Sequence, residues 1–519
     1  MSAGLARNTA TVGAMTLISR VLGLLRDMVF ARFGIDAGMD AFFVAFKIPN
    51  FMRRLFAEGA FSQAFVPVLS EYRAQRDHAE VQALVDRVAG TLAGLLGLLT
   101  LAGVLASPLL VILFAPGFLS DPAKFDLTAQ MLRFTFPYLL FMALVAFSAG
   151  ILNSYGRFGA AAFTPVWLNV VLIGVALCIA PGLEEPMLAL AWGVLAAGFV
   201  QLLFLLPALR GIRLLPVPRW GLRDAGVRRI MKLMVPGIVG SSVAQINLLF
   251  DTLLASFLVT GSVSWLYYAD RLVEFPLGIF GIALGTVILP VLSRNHAGGA
   301  PEEFSRNLDA ALRWVLLIGV PAALGLILLA RPAVATLFQY DAFDARDVDM
   351  AGLALVAYGV GLPGFMLVKI LAPAFYARQD PRTPVRIAVR SMIANMVMNV
   401  LFVVPLVLLH IPGAHAGLAL ATALAGYLNA ALLYRQLRRE AVYRPQPGWW
   451  RLALRLLFAN AAMAALLLWG VPALSDWLGM EGPTRAARMA QWVVAGVAVY
   501  LAALRVTGLR LSVLWSPRQ

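Results

Sequence analysis

Arginines recur inside the long apolar runs of this sequence, where a charged side chain is costly. Arg20, Arg26 and Arg53 lie in the first two runs, and Lys369 lies in a later one. A charge at membrane depth costs at least about 2.5–3.5 kcal/mol on insertion scales, so such residues usually face a cavity or a partner. Guanidinium groups bind phosphate oxygens bidentately and stay charged. The surplus of arginine therefore predicts an anionic, diphosphate-bearing ligand rather than a neutral or cationic one.

Acids close to some of these bases leave a structural interpretation open. Arg26 is followed directly by Asp27, and Asp270 is followed by Arg271. A similar pair is Arg54 with Glu58, four residues later. Such pairs can neutralise each other without any ligand. Arg20, Arg53 and Lys369 have no obvious acid nearby, so ion pairing does not explain the whole set.

The spacing of the arginines in the first run restricts which of them can share a site. Arg20, Arg26 and Arg32 are six residues apart, which is about 120° around an ideal helix. A straight helix cannot direct all three side chains into one cavity. We therefore expect Arg20 and Arg26 to belong to the site and Arg32 to lie elsewhere.

A separate set of residues could bind an ion. Asp251 lies in an apolar run with no basic residue nearby, and Asn395 and Asn399 are spaced to share one helix face. Oxygens from one Asp and two Asn could hold a small monovalent cation such as Na+, or Asp251 could carry a proton. The structural alternative is a hydrogen-bonded aspartate together with amide packing between helices.

Motifs of other function classes do not occur in the sequence. There is no P-loop, no His-Glu-x-x-His and no Gly-x-Ser-x-Gly, so hydrolase chemistry is not predicted, and ATP-driven transport would require an ATPase on another chain. Cys178 is the single cysteine. The net charge of +15 arises from short basic clusters between apolar runs, a distribution typical of membrane topology and not of nucleic-acid binding. We expect a transporter without a cofactor, driven by a coupling cation (Na+ or H+) or by the membrane potential.

Long apolar helices are the elements that must position these charges. Of 519 residues, 61% are hydrophobic and 13% are charged, whereas a soluble domain has about 25% charged residues. A spanning helix needs about 20 mainly apolar residues. We predict an all-α integral membrane protein with about fourteen transmembrane helices, at 9–33, 40–70, 84–115, 128–153, 160–181, 187–209, 227–259, 264–293, 306–329, 351–377, 383–409, 416–437, 450–472 and 487–508. The longest hydrophilic stretches between the runs are 210–232, 330–350 and 435–451.

The distribution of lysine and arginine predicts the orientation. If the N-terminus is cytoplasmic, the basic stretches 210–232, 378–390 and 435–455 all fall on the cytoplasmic side. The opposite loops are acidic, with Asp121 and the stretch 341–349 as examples. The positive-inside rule therefore places both termini in the cytoplasm of a multi-pass protein.

A weak internal repeat predicts how the helices are grouped. Leu24–Phe33 matches Leu248–Phe257 at about half of its positions, with Asp27 aligned to Asp251. A second pair of similar segments lies at nearly the same offset: Phe65-Val-Pro-Val-Leu-Ser70 resembles Ile288-Leu-Pro-Val-Leu-Ser293. Parallel repeats around a central site are a common transporter plan. We predict two six-helix lobes in parallel repeat, residues 1–222 and 223–442, followed by two extra helices in 443–519.

Several longer motifs resemble one known family. They are Ser19-Arg-Val-Leu-Gly-Leu-Leu-Arg-Asp27, the run from Asp40 to Pro67, Gly261-Ser-Val-Ser-Trp-Leu-Tyr-Tyr-Ala-Asp-Arg-Leu-Val-Glu-Phe-Pro276 and the run from Lys369 to Asp380. Together these runs resemble the MurJ (MviN) family, from about residue 8 to the C-terminus. The resemblance implies the fold of the multidrug/oligosaccharidyl-lipid/polysaccharide exporter superfamily. It also implies a flippase of the bacterial cytoplasmic membrane that moves lipid II, an undecaprenyl-diphosphate-linked peptidoglycan precursor, to the periplasmic leaflet by alternating access.

The same resemblance assigns roles to individual residues. It implies that the cavity arginines are Arg20, Arg26, Arg53 and Arg271. It implies that the other charged positions of the substrate site are Asp27, Asp40, Glu58 and Lys369. Residues 443–519 would form a groove for the polyprenyl tail. The implied partners are lipid II, membrane lipids and, as candidates, proteins of the cell-division or elongation complexes.

Other transporters of the same superfamily are the main alternatives. A cation-coupled drug exporter would be expected to carry acids rather than arginines in its N-terminal lobe. An O-antigen flippase also handles a polyprenyl diphosphate, so only the motifs disfavour it. A membrane enzyme acting on polyprenyl diphosphates would need acidic Mg²⁺ clusters or a His/Ser nucleophile, and none is evident. A scaffold in a cell-division complex would not need so much charge at membrane depth.

Overall fold

The computed structural model describes residues 3–55 and 61–509, and within those ranges it is helical without a β-strand. The predicted all-α class is therefore confirmed. In the first half of the chain the α-helices are α1 (Ala3–Ala31), α2 (Ala37–Arg53), α3 (Ser62–Gln75), α4 (His78–Leu105), α5 (Ser107–Phe114), α6 (Pro122–Thr135), α7 (Tyr138–Ser154), α8 (Phe158–Cys178), α9 (Pro186–Gly211) and α10 (Ala225–Ser256). In the second half they are α11 (Ser262–Ala297), α12 (Pro301–Leu328), α13 (Ala330–Phe338), α14 (Ala345–Tyr376), α15 (Arg382–Leu408), α16 (His415–Arg439), α17 (Trp449–Gly470), α18 (Leu474–Leu478) and α19 (Gly482–Val506).

Aspartates just before several helices fix where those helices begin. Asp36, Asp77, Asp121, Asp224 and Asp344 each accept a hydrogen bond from a backbone N–H of the following first turn. These N–H groups have no partner within the helix, so the carboxylate accepts hydrogen bonds from them. Its negative charge also interacts favourably with the positive end of the helix dipole. The caps extend helices beyond their apolar runs, which is why α4 begins six residues before the predicted start of the third run, at His78 rather than at 84.

Ten helical segments in the described ranges are long and apolar enough to cross a membrane. They are α4, the α6–α7 pair, α8 with the short turn that follows it, α9, α12, α14, α15, α16, α17 and α19. The other four predicted spans correspond to α1, to α2 with α3, to α10 and to α11; of the predicted charged site residues, only Lys369 lies outside these four, on α14. A multi-pass membrane protein is confirmed, whereas the total of fourteen spans stays a prediction.

The chain forms two compact units, Met1–Ser264 and Trp265–Gln519. The predicted division into 1–222, 223–442 and 443–519 rests on the sequence repeat and stays a prediction. In the first unit, α3, α4, α7, α9 and α10 share a buried core, with Phe65, Phe147 and Leu205 fully enclosed. This core explains why α3, which is only weakly apolar, has a fixed place: its buried face packs on the longer helices α4, α7 and α10.

The two C-terminal helices pack on helices of the second unit. Residues from α17 and α19, such as Met463 and Tyr500, share a buried cluster with Leu317 of α12. The Tyr500 hydroxyl donates a hydrogen bond to the Leu317 carbonyl at 2.7 Å. At the other end of α19, buried Arg485 donates to the carbonyl oxygens of Ala335 and Gln339, which lie in and directly after α13. Both ends of α19 are thus attached to the unit.

Asp309 of α12 fixes the connection that leads into α17. Its Oδ1 accepts hydrogen bonds from the Tyr443 hydroxyl at 2.7 Å, the Gln446 N–H at 3.1 Å and the Trp449 indole N–H at 2.9 Å. Its Oδ2 accepts from Arg313 Nε at 2.7 Å. Burial and the adjacent carboxylate raise the pKa of Tyr443, so that hydroxyl remains a donor. The connection ends at Gly448, whose φ of 98° is a left-handed conformation that suits glycine.

We expect Asp309→Ala to destabilise the protein by about 2–4 kcal/mol, since four donors lose one buried acceptor residue. Thermal unfolding of the purified protein in detergent would measure the loss, and limited proteolysis within 440–449 would locate it. Glu303→Ala is the matched control, because Glu303 lies on the same helix and is more than half exposed. Equal unfolding temperatures and proteolysis rates for the two variants would contradict the role of Asp309.

Candidate functional site

Arg26 of α1 is the centre of a buried polar network in the first unit. Its Nε and Nη2 donate to Asp27 Oδ1 at 3.0 and 2.7 Å, and its Nη1 donates to Asn169 Oδ1 at 3.1 Å. Asn169, on α8, donates back to the Ser19 carbonyl at 3.1 Å. The side chains of Arg26 and Asp27 are 4% and 1% exposed. The amide of α8 therefore holds the guanidinium in place, while Asp27 neutralises it.

The three arginines of α1 differ in exposure, as their spacing predicts. Arg26 is buried, Arg20 is half-buried and Arg32 is exposed. Within the described part of the chain, Arg20 makes no hydrogen bond and no ion pair. It is thus a cation at membrane depth whose charge a ligand could satisfy.

Asp40 of α2 joins three segments of the first unit. Its Oδ2 accepts from Lys124 Nζ of α6 at 2.9 Å and from the Gly261 N–H at 2.8 Å. Its Oδ1 accepts from the Ser264 N–H at 3.0 Å and the Ser264 hydroxyl at 2.6 Å. The Asp40 and Lys124 side chains are 2% and 5% exposed. Four donors therefore occupy the carboxylate, which is the arrangement expected of a structural anchor.

Arg53, at the end of α2, is half-buried and donates from Nε to Asn50 Oδ1 at 3.1 Å. Asn50 in turn donates to the Phe46 carbonyl at 3.1 Å. This chain of bonds directs Arg53 along its own helix. Glu58, the other predicted residue of this stretch, lies outside the described residues.

The predicted site residues of the second unit are Arg271 and Lys369. Arg271 of α11 pairs with Glu274 at 3.2 Å and donates from Nε and Nη2 to the Tyr267 hydroxyl at 3.3 and 3.1 Å. Its side chain remains 34% exposed. Lys369 of α14 is exposed and makes no hydrogen bond or ion pair within the described ranges. Arg271 is thus held by Glu274 and Tyr267, whereas Lys369 is available to a ligand.

The residues predicted to bind an ion fall in different units. Asp251 is half-buried on α10 of the first unit. Asn395 and Asn399 are buried on α15 of the second unit, where Asn399 Nδ2 donates to Asn395 Oδ1 at 2.9 Å. Asn395 also donates to the Thr422 hydroxyl of α16 at 3.2 Å. The two amides share one face as predicted, and their contacts are those of helix packing.

Sequence reasoning missed Lys124 and Asn169, which hold Asp40 and Arg26. Asn169 carries no charge and lies in an apolar run, so nothing in the sequence distinguishes it from a packing residue. Lys124 did leave a signal: it is a lysine next to Asp121 and Asp126, on the side predicted to be acidic. A base that breaks the positive-inside pattern is a candidate for a buried partner.

Comparison with known proteins identifies the family. Residues 29–485 match the family model described as "Lipid II flippase MurJ". The chain belongs to the MurJ family. The resemblance seen in the motifs is thereby confirmed, and so is the prediction of a transporter rather than an enzyme.

MurJ family members align with this chain over almost its whole length. One relative, "Probable lipid II flippase MurJ" of Vibrio cholerae serotype O1, is 48% identical, and the alignment covers 98% of each sequence. Another, "Lipid II flippase MurJ" of Burkholderia cenocepacia, is 44% identical over 97% of this chain and 98% of the relative.

Solved structures extend the comparison to the fold. The structure titled "Lipid II flippase MurJ, inward closed conformation" matches with a TM-score of 0.79 at 26% identity, covering 95% of this chain and 98% of that one. An inward-facing multidrug resistance MATE family transporter of the MOP superfamily matches with a TM-score of 0.63 at 16% identity, covering 83% of this chain and 98% of that one. The second match shows a shared fold only.

Proposed function

We propose that this chain moves lipid II from the cytoplasmic to the periplasmic leaflet of the bacterial inner membrane. The observation that carries the proposal is the buried Arg26–Asp27–Asn169 network, found in a chain 44% identical to a relative named as a lipid II flippase. Lipid II carries a diphosphate between its polyprenyl tail and its sugars. A buried guanidinium with oriented N–H groups is the side chain best suited to that group.

The proposed mechanism is alternating access with the diphosphate as the group that the protein holds. Arg26 exchanges its bonds to Asp27 for bonds to a phosphate oxygen, and Arg20 supplies a charge that has no counter-ion among the described residues. Arg53 adds positive charge in the first unit, and Arg271 and Lys369 add positive charge in the second. A membrane potential that is negative inside favours outward movement of an anion by about 2.3 kcal/mol per charge per 100 mV.

An apolar cavity in the second unit supports binding of the polyprenyl tail. It has a volume of about 470 Å³ and lies among α12, α14, α16 and the start of α17. Its lining is almost entirely apolar or aromatic, with Leu312, Leu316, Leu367, Leu371, Tyr427, Tyr434 and Trp449 among the residues. A long isoprenoid chain can lie against such a surface while its other end stays in the bilayer.

The proposed topology places both termini in the cytoplasm. The basic stretches 210–232 and 378–390 then face the cytoplasm, as the positive-inside rule requires. Proteins of the cell-division or elongation machinery are proposed partners in the same membrane.

Depletion in the native cell tests the substrate. Lipid II exposed on the periplasmic leaflet would be labelled before and after depletion, and again after the wild-type chain is supplied. Exposed lipid II should fall on depletion and return with the wild type. If it stays constant while another polyprenyl-linked glycan, such as an O-antigen precursor, accumulates inside, the substrate assignment is wrong and the alternative flippase function replaces it.

We further propose that Asp251 of the first unit carries the coupling ion, either a proton or Na+. Asp251→Asn should make transport in proteoliposomes insensitive to Na+ and to pH, because the amide cannot bind a proton and binds a cation weakly. Asp126→Asn, an exposed aspartate of α6, is the control that should leave both dependences intact. An unchanged ion dependence in Asp251→Asn would refute the proposed role.

A further inference from the structure

Four arginines line one small cavity between α15 and α16 in the second unit. Arg386 and Arg390 lie one turn apart on α15, and Arg435 and Arg439 lie one turn apart on α16. The cavity has a volume of about 190 Å³, and its remaining lining residues are Thr383, Ile387, Leu432 and Gln436. No acid is among them, so the cavity concentrates positive charge.

None of these arginines has a counter-ion in the described part of the chain. Arg386, Arg390, Arg435 and Arg439 make no side-chain hydrogen bond or ion pair there. The acid closest in sequence, Glu440, pairs with Arg378 at 2.6 Å and accepts from Gln436, a lining residue, at 2.8 Å, but it forms no ion pair with any of the four arginines. Four uncompensated guanidinium groups around one concave surface form a site for an anion.

An apolar stripe continues from the arginines along the same face of α15. Ile393, Val397 and Leu401 follow Arg390 at intervals of three or four residues and are 54%, 53% and 61% exposed. Residues at that spacing share a helix face. Exposed side chains of this kind on a helix of membrane-spanning length are suited to contact acyl chains. The surface thus pairs a cationic end with an apolar one.

We propose that this cavity binds the phosphodiester headgroup of an anionic glycerophospholipid, whose acyl chains lie along the α15 stripe. In the proposed topology the site belongs to the cytoplasmic leaflet. Basic pockets between transmembrane helices on that side of a membrane are suited to anionic headgroups. The cavity volume accommodates a phosphate with its glycerol and is far too small for a disaccharide-pentapeptide. The apolar stripe favours a lipid over a free phosphate ion.

The positive-inside rule alone would also place arginines here, but it does not require them to surround a cavity. That difference provides a matched control. Arg382 and Arg438 lie on the same two helices, are exposed and do not line the cavity. A variant with Arg390→Gln and Arg435→Gln and a variant with Arg382→Gln and Arg438→Gln therefore remove equal charge from the same region.

The experiment is a lipid titration of the purified, delipidated full-length protein, followed by native mass spectrometry with phosphatidylglycerol or phosphatidylcholine. Each interfacial arginine contributes about fivefold to the binding of an anionic lipid. The cavity pair of substitutions should therefore weaken phosphatidylglycerol binding by about 25-fold. The control pair should retain the wild-type affinity, and phosphatidylcholine should not distinguish the variants.

Three results would overturn the proposal. The two pairs of substitutions could weaken phosphatidylglycerol binding equally, which would make the arginines general topology charges. Millimolar inorganic phosphate could displace the lipid completely, which would make the cavity a soluble-anion site. Undecaprenyl diphosphate binding could fall while phosphatidylglycerol binding stays constant, which would place the cavity on the substrate path. A second pair, Arg386→Gln with Arg439→Gln, repeats the test if the first pair lowers the unfolding temperature.

Discussion

Arg26→Ala is expected to lower lipid II flipping by about 30- to 1,000-fold, because a buried, charge-assisted contact of this kind contributes about 2–4 kcal/mol. The side chain is buried, and Asn169 of α8 fixes its direction. The measurement is the rate at which lipid II reaches the outer leaflet of proteoliposomes containing equal amounts of folded protein.

Two variants separate a transport defect from a folding defect. Arg26→Ala leaves the Asp27 carboxylate buried beside a missing partner, which is destabilising in itself. The double variant Arg26→Ala with Asp27→Asn removes that buried charge and should recover stability but not transport. Arg32→Ala, at an exposed position of the same helix, should transport normally. If the double variant recovers transport, Arg26 acts only through its ion pair and the diphosphate is held elsewhere.

Lys124→Met is expected to destabilise the first unit by about 3–5 kcal/mol, the usual cost of leaving one buried charge without its partner. Lys124 is the ammonium group that neutralises Asp40, at 2.9 Å. Without it the carboxylate keeps its neutral donors from Gly261 and Ser264 but loses its counter-ion. Thermal unfolding of the purified protein and the yield of monodisperse protein are the measurements.

The control is charge removal from both partners together. Asp40→Asn combined with Lys124→Met leaves no buried charge, so it should be more stable than Lys124→Met alone. Asp126→Asn, on the same helix as Lys124 and exposed, should leave the unfolding temperature unchanged. Equal destabilisation by the single and the double variant would show that Lys124 contributes packing rather than charge.

Much of the fold could be predicted from the sequence because hydropathy is a local property. Every predicted apolar run contains helix in the described ranges. The hydrophilic stretch 330–350, where no spanning helix is predicted, nevertheless contains α13 and the first turn of α14. A nine-residue helix is too short to contain a long apolar run, and its position depends on contacts such as that between Arg485 and Ala335. Those contacts join residues far apart in sequence.

The candidate site was predictable only in part, and for a similar reason. Arg26 and Asp27 are neighbours in sequence, so an ion pair between them was one of the two interpretations of these charges, beside ligand binding. The structure contains that ion pair. The partner of Asp40 is 84 residues away, and the amide that orients Arg26 is 143 residues away. Residue types alone identified the charged positions. Only the folded chain distinguishes Asp40, whose oxygens are fully used, from Arg20 and Lys369, which have no partner in the described ranges.

The carboxylate beside Arg26 has a consequence for the speed of the transport cycle. A bare guanidinium in a low-dielectric site would bind a diphosphate so tightly that release became the slow step. In the proposed mechanism, Asp27 bonds to the guanidinium again at 2.7 Å when the phosphate leaves, so the loaded and the empty site differ little in free energy. Such a site binds the diphosphate less tightly and releases it faster. A lasting block would then require a ligand that keeps Asp27 from returning to Arg26, and tight binding to the arginine alone would not suffice.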